Sequence, residues 1–208
     1  MRDRIMDAGA LNERLEVLEL QQGKENIWAW VPIRQIWAMV STGGSPQKRN
    51  LFSALGVGAQ NASITLRRQP LTLHHAMRWR DKHLLLTSLT DGSTMYLDGS
   101  AAVVSPVQCQ AKRTTTKLGA ANRPQQVAEQ QVTFPGILTE KYVRYEQEET
   151  HARTQTLYVL ITPKAIDLVE GMVVTVQEGL GKGVYNLQTR HTLDEYKNEY
   201  ELSWKGDV

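Results

Sequence analysis

One cysteine, Cys109, stands in a chain of 208 residues. A lone thiol cannot close an intrachain disulfide, so packing has to hold the fold, and secretion gains no support. No run approaches the ~20 apolar residues of a transmembrane span. The opening MRDRIMDAGA has no apolar stretch of the kind a signal peptide needs. Without a secretory route, the sequon at Asn61 is expected to be idle. An excess of one charge is missing too. The 24 Lys and Arg against 22 Asp and Glu leave a formal +2, without the concentrated basic charge of a dedicated nucleic-acid binder. What remains is a protein of a reducing compartment with no membrane partner, whose 41% hydrophobic residues supply an ordinary globular core.

The motifs of common chemistry are also absent. Lys182 in GLGKG is followed by Gly183, which breaks the phosphate-cradling pattern, and Asn61 stands where a third glycine would follow Gly56 and Gly58. Neither H-E-x-x-H, C-x-x-C nor G-x-S-x-G occurs. His74 and His75 are adjacent, so on a strand they face opposite ways and cannot easily share a metal. Cys109 lies in an apolar strand and reads as a buried, inert thiol. The acidic run Glu146–Thr150 reads as a solvated loop. The expectation is a chain that is not an enzyme, with no catalytic residue, no cofactor and no metal, and with a binding or structural role.

What the sequence does contain is strands. Arg14–Leu20, Ile36–Ser41, Ala62–Arg68, His83–Leu89, Ser100–Gln110, Gln155–Thr162, Gly171–Gln177, Val184–Leu193 and Glu199–Trp204 are rich in β-branched and aromatic residues. The turn sequences TDGS, LDGS and GLGKG punctuate them. Helix is suggested only in the N-terminal DAGALNERLEVLE and in a short turn over Gln69–Met77. The pattern predicts an all-β protein of two small antiparallel barrel or sandwich domains, preceded by a short helical or irregular segment. It also repeats. An apolar strand (IWAMVS or FPGILTE), a polar stretch, a strand ending near proline (ASITLRRQP or QTLYVLITP) and a hairpin ending in a threonine-leucine pair (Leu89-Thr90 or Thr192-Leu193) occur twice. Between the copies, residues 110–131 are polar and read as a linker or long loop. The expected division is an extension at 1–9, a first domain at 10–109, that linker, and a second domain at 132–208.

Three of the five tryptophans, Trp28, Trp30 and Trp37, fall just ahead of a glycine-rich stretch, STGGSPQKRNLFSALGVGAQN. Basic residues sit in the polar segments: Lys48 and Arg49 after the tryptophan strand, and Lys112, Arg113 and Lys117 in the expected linker. Such loops do not read bases, but they suit a phosphate backbone without sequence preference.

The order of these elements resembles the head-closure, or head–tail joining, family of tailed bacteriophages. Arg14-Leu15-Glu16-Val17 matches its first strand. Trp30-Val31-Pro32 leading to Ile36-Trp37-Ala38-Met39-Val40 matches its W-x-x-V and V-W-A-x-V segments. Ser63-Ile64-Thr65-Leu66-Arg67 matches its R-I-T-[IL]-R strand, and Met77–Leu89 its hairpin. The likeness spans residues 10–105. The second half departs from it, since Phe134-Pro135-Gly136-Ile137-Leu138 has no tryptophan.

The resemblance implies a virion protein of the phage neck, assembled in the host bacterial cytoplasm. It would form a ring of about 6 or 12 copies that closes the filled head and offers a docking surface to the tail. Its partners would be its own copies, the portal and adaptor proteins, and the tail terminator or tail tube protein. Packaged double-stranded DNA would be contacted without sequence specificity. A channel loop would hold Ser45, Pro46, Lys48, Arg49, Asn50 and Phe52. Trp28, Trp30, Trp37 and Trp79 would anchor barrel and interface, with Trp37 buried, and Lys48, Arg49, Lys112, Arg113 and Lys117 would lie near DNA. Two other readings stay open: a different phage ring protein (adaptor or tail terminator), or a β-rich module binding carbohydrate or protein on exposed tryptophans.

Overall fold

A computed structural model describes residues 8–42, 60–118, 124–144, 154–179 and 181–206, with backbone alone for 8, 114–118, 124–130, 141–144 and 154–157. Apart from two short 3-10 turns, Ala8–Ala10 and Lys24–Asn26, every regular element is a strand: β1 (Glu13–Gln22), β2 (Trp28–Thr42), β3 (Gln60–Arg67), β4 (Ala76–Trp79), β5 (Lys82–Asp91), β6 (Tyr96–Val104), β7 (Val107–Leu118), β8 (Pro124–Arg144), β9 (Thr154–Pro163), β10 (Val173–Val176), β11 (Gly183–His191) and β12 (Lys197–Gly206). The chain is all-β and forms two closed six-stranded barrels, in the orders β1-β2-β3-β6-β5-β4 and β7-β8-β9-β12-β11-β10. Counted within each barrel, that is one topology used twice.

Alternation builds the first barrel. Leu15 and Val17 of β1, Ile36 and Ala38 of β2, Ile64 and Leu66 of β3, and Leu84 and Leu86 of β5 point inward and are buried together with Met77 and Trp79. Their neighbours Glu16, Trp37, Arg67 and Arg78 point out. The second barrel repeats the arrangement register by register. Leu15 pairs with Trp79 and Val17 with Met77; Cys109 pairs with Val176 and Ala111 with Val174. Ile64 pairs with Gly99, and Leu160 with Tyr200. Even the irregularity recurs: β5–β6 shifts register between Leu86 and Ser88, and β11–β12 between Leu187 and Thr189.

Equivalent positions hold different volumes. Trp79, Leu84 and Gly99 fill the first core where Val176, Tyr185 and Tyr200 fill the second. A core needs its total volume matched, so size can move from one wall to another. The crowding in the second barrel favours glycine at 136, because a Cβ there would lie 2.7 Å from Leu160 Cδ1 and 3.1 Å from Cys109 Sγ, and those side chains would have to shift.

The segment joining the third and fourth strands closes one end of each barrel. In the first, Leu71 and Leu73 pack onto the core. In the second, Ile166 and Leu168 are buried. There Tyr200 Oη donates to Ile166 O at 2.9 Å and accepts from Leu168 N at 2.9 Å, while Asn198 Nδ2 donates to Ile166 O at 2.9 Å.

Several expectations change. Of the expected linker or long loop at 110–131, residues 110–118 and 124–131 are strand: β7 and β8 pair there from Gln110–Thr133 out to Leu118–Pro124. Beyond Lys112, β7 has left its pairing with β10, and the two strands continue as a paired ribbon. The units divide between Ser105 and Pro106, not after Cys109. The apparent single strand Ser100–Gln110 is two, interrupted at Ser105-Pro106, where proline lacks the N–H a ladder requires. Gln22–Ala29, Trp28 included, groups with the second unit, where Ile27 bridges Thr133. Gln69–Met77 is no helix but the closing segment followed by the start of β4.

Candidate assembly surface

The tryptophans separate by register. Trp79, on the inward row, is 7% exposed, and its Nε1 donates to Glu13 Oε2 at 2.8 Å. Glu13 also takes Arg80 at 2.9 Å. The Trp79 hydrogen bond, followed by the Arg80 charge, holds the Glu13 carboxyl below its usual range. Arg80 itself adopts φ 57 at the two-residue β4–β5 turn, an uncommon conformation for a large side chain, with its guanidinium 4.8 Å from the Trp79 ring centre. Trp30 is half-buried against His83, ring centres 5.5 Å apart. Burial, then the nearby Arg78, pushes His83 down to about 4.

Trp37 is the correction. It was expected as a buried anchor, yet it is 58% exposed. Ile36 and Ala38 take the inward positions, so period-two geometry turns the intervening indole outward. Trp37 lines an open groove of about 610 Å³ with Leu11, Gln35, Arg67, Arg68 and Gln69. Arg67 closes the β3 row beside it. Arg68 pairs with Asp91 at 2.7 Å, and Gln35 Nε2 donates to Glu16 at 3.2 Å. An indole face beside two guanidinium groups and two amides can take an apolar side chain and neutralise carboxylates in one contact.

Lys112 and Arg113 are exposed on β7, and Lys117 lies in the same strand, where the backbone alone is described. Ser45, Pro46, Lys48, Arg49, Asn50 and Phe52 lie outside the described residues. Among the described residues, Trp37 is joined to none of the other expected ones. It is joined to Leu11, Gln35, Arg67, Arg68 and Gln69, which sequence reading missed. The signal for the arginines was present: ASITLRR ends in two cations at the mouth of a strand that pairs with the tryptophan strand.

Cys109 is buried, and burial pushes its thiol up to about 12, which leaves it protonated and unreactive. Among the described residues no cluster of His, Cys, Asp and Glu is arranged to hold a metal ion, and no helix is long and apolar enough to cross a membrane. Compared with protein-family models and with curated proteins, the chain matches none.

Proposed function

We propose that this protein is a structural connector of a tailed-phage neck, working through contacts on the outer faces of its barrels. The observation that carries the proposal is Trp37, held on the outside of a closed barrel beside Arg67 and Arg68. Large exposed aromatics next to arginine are the residues that dominate protein interfaces. The order of segments resembling the head-closure family supports the same reading. Those segments fall in β1, β2, β3 and the β4–β5 hairpin of one barrel. Its role would be to close the filled head and present a surface to the tail. Lys112 and Arg113, with Lys48 and Arg49 in the segment between β2 and β3, would supply unspecific contacts to packaged DNA. Co-sedimentation with DNA-filled, tail-less heads lacking only this component tests it. Binding to those heads is the expected result, and failure to bind removes the connector role.

A second reading rests on the same exposed indole. On it, Trp37 is a platform in a β-rich binding module that stacks a carbohydrate or protein side chain. Quenching and a spectral shift of tryptophan fluorescence on adding oligosaccharide, lost in Trp37→Ala, would favour this module over the connector.

A further inference from the structure

Because the two barrels share a topology, they share an equivalent end, where the third strand leaves, the closing segment begins and the last hairpin turns. At that end the barrels are opposite in charge. The first carries Arg67 and Arg68 in the Trp37 groove, with Arg34 bonded to the Pro70 carbonyl and Asp91 already paired with Arg68. The second carries Asp167, Glu170, Asp194 and Glu195 around two exposed apolar residues, Val169 and the fully exposed Leu193. Its cations are engaged. Arg190 sits on Asp167 at 3.1 Å, and Lys164 Nζ donates to the carbonyls of Thr192 and Asp194 at 2.7 and 2.6 Å. Those last two bonds tie the closing segment and the β11–β12 turn into one surface.

From this complementarity we infer that the Trp37 groove receives the Leu193 turn of a second copy of the chain, head to tail. Leu193 covers the indole and Leu11, while Glu170 and Glu195 meet Arg67 and Arg68. Contact between two like ends would set like charges together, which opposes pairing groove with groove or turn with turn. A head-to-tail contact repeats from copy to copy and gives a ring when its rotation closes. The inference rests on the assembly reading above and names the surface that reading requires.

Charge reversal tests it. Arg67→Glu with Arg68→Glu makes one variant, and Glu170→Arg with Glu195→Arg the other. All four residues are exposed, and the bond from Arg190 N to Glu170 Oε1 is long at 3.4 Å, so both variants should melt close to the parent. Asp194 is spared because its Oδ1 accepts from Tyr196 N and Lys197 N. In sedimentation velocity over a concentration series, each variant alone should associate at least about tenfold more weakly than the parent. An equimolar mixture should recover, because the reversed groove of one chain meets the reversed turn of the other. A covalent version uses the burial of the single cysteine. On oxidation, Trp37→Cys and Leu193→Cys chains should form a mixed disulfide dimer. No recovery on mixing, together with no mixed disulfide, overturns the inference. Parallel head binding by the parent separates the two failures. Heads bound without recovery or mixed disulfide reject this contact and leave the connector standing. Heads unbound reject the connector, and the mixture still decides the contact.

Discussion

Replacing Tyr200 with phenylalanine removes one oxygen from the centre of the second barrel and leaves its shape almost unchanged. That oxygen is bonded to Ile166 O and Leu168 N, and the residue is fully buried. Ile166 O loses little, since Asn198 Nδ2 at 2.9 Å and Thr162 Oγ1 at 3.3 Å remain on it. Leu168 N–H loses its partner and stays buried with the closing segment. A buried donor left unsatisfied costs about 1–3 kcal/mol, so the substitution should destabilise the second barrel by about 2 kcal/mol. In a domain of about 100 residues, each kcal/mol moves the midpoint by about 4–8 °C, which predicts a fall of about 8–16 °C. Calorimetry reads the midpoint, and amide exchange reads Leu168 directly. An unshifted melt with Leu168 still protected would show that the hydroxyl does not hold the closing segment.

Three further outcomes follow from the cores and the groove. Trp79→Ala should cost about 3–5 kcal/mol through lost packing and a cavity, whereas Trp37→Ala should leave the melt nearly unchanged; equal shifts in thermal melts would contradict the register. His83 is held well below its unfolded value by burial, so its contribution to stability is full above about pH 6.5 and is lost as pH falls toward about 4. His83→Gln should remove on the order of 3 kcal/mol of that acid sensitivity, read as a flatter stability profile between those limits in urea titrations. Gly136→Ala should overpack against Leu160 and Cys109 and cost about 1–3 kcal/mol, seen as a lower urea midpoint with an unchanged slope.

The repeat was legible because strand order and spacing survive where side-chain size does not. The prolines and the threonine-leucine pairs that also suggested it are not equivalent, since Pro163 stands in register with Arg67, and Leu89-Thr90 with Arg190-His191. The exchange of Trp79, Leu84 and Gly99 for Val176, Tyr185 and Tyr200 hides the kinship from residue-by-residue comparison, since what both cores preserve is filled volume. Trp37 was misread through its size. A large aromatic suggests burial, but the alternation Ile36-Trp37-Ala38 already turned it outward. The stretch 110–131 was misread for the reverse reason. The segments 110–118 and 124–131 carry threonines and a valine, but no apolar alternation in the sequence that would reveal a strand. Trp37 and Leu193 lie far apart in sequence, and the contact proposed between them became visible only once the two ends were known to be topologically equivalent.

Closure has a consequence for how such a chain can change. In each barrel wall the backbone donors and acceptors are matched strand to strand around the ring, so no partner can join by adding a strand to the wall. Among the described residues, the ribbon of Arg113–Leu118 against Pro124–Gln130 pairs with no third strand. It is bordered by Arg113, Lys117 and Pro124, residues that discourage open-ended β stacking. Recognition by the walls must then be written in side chains alone. A new partner can be acquired one outward residue at a time while the inward rows, and the fold, stay as they are.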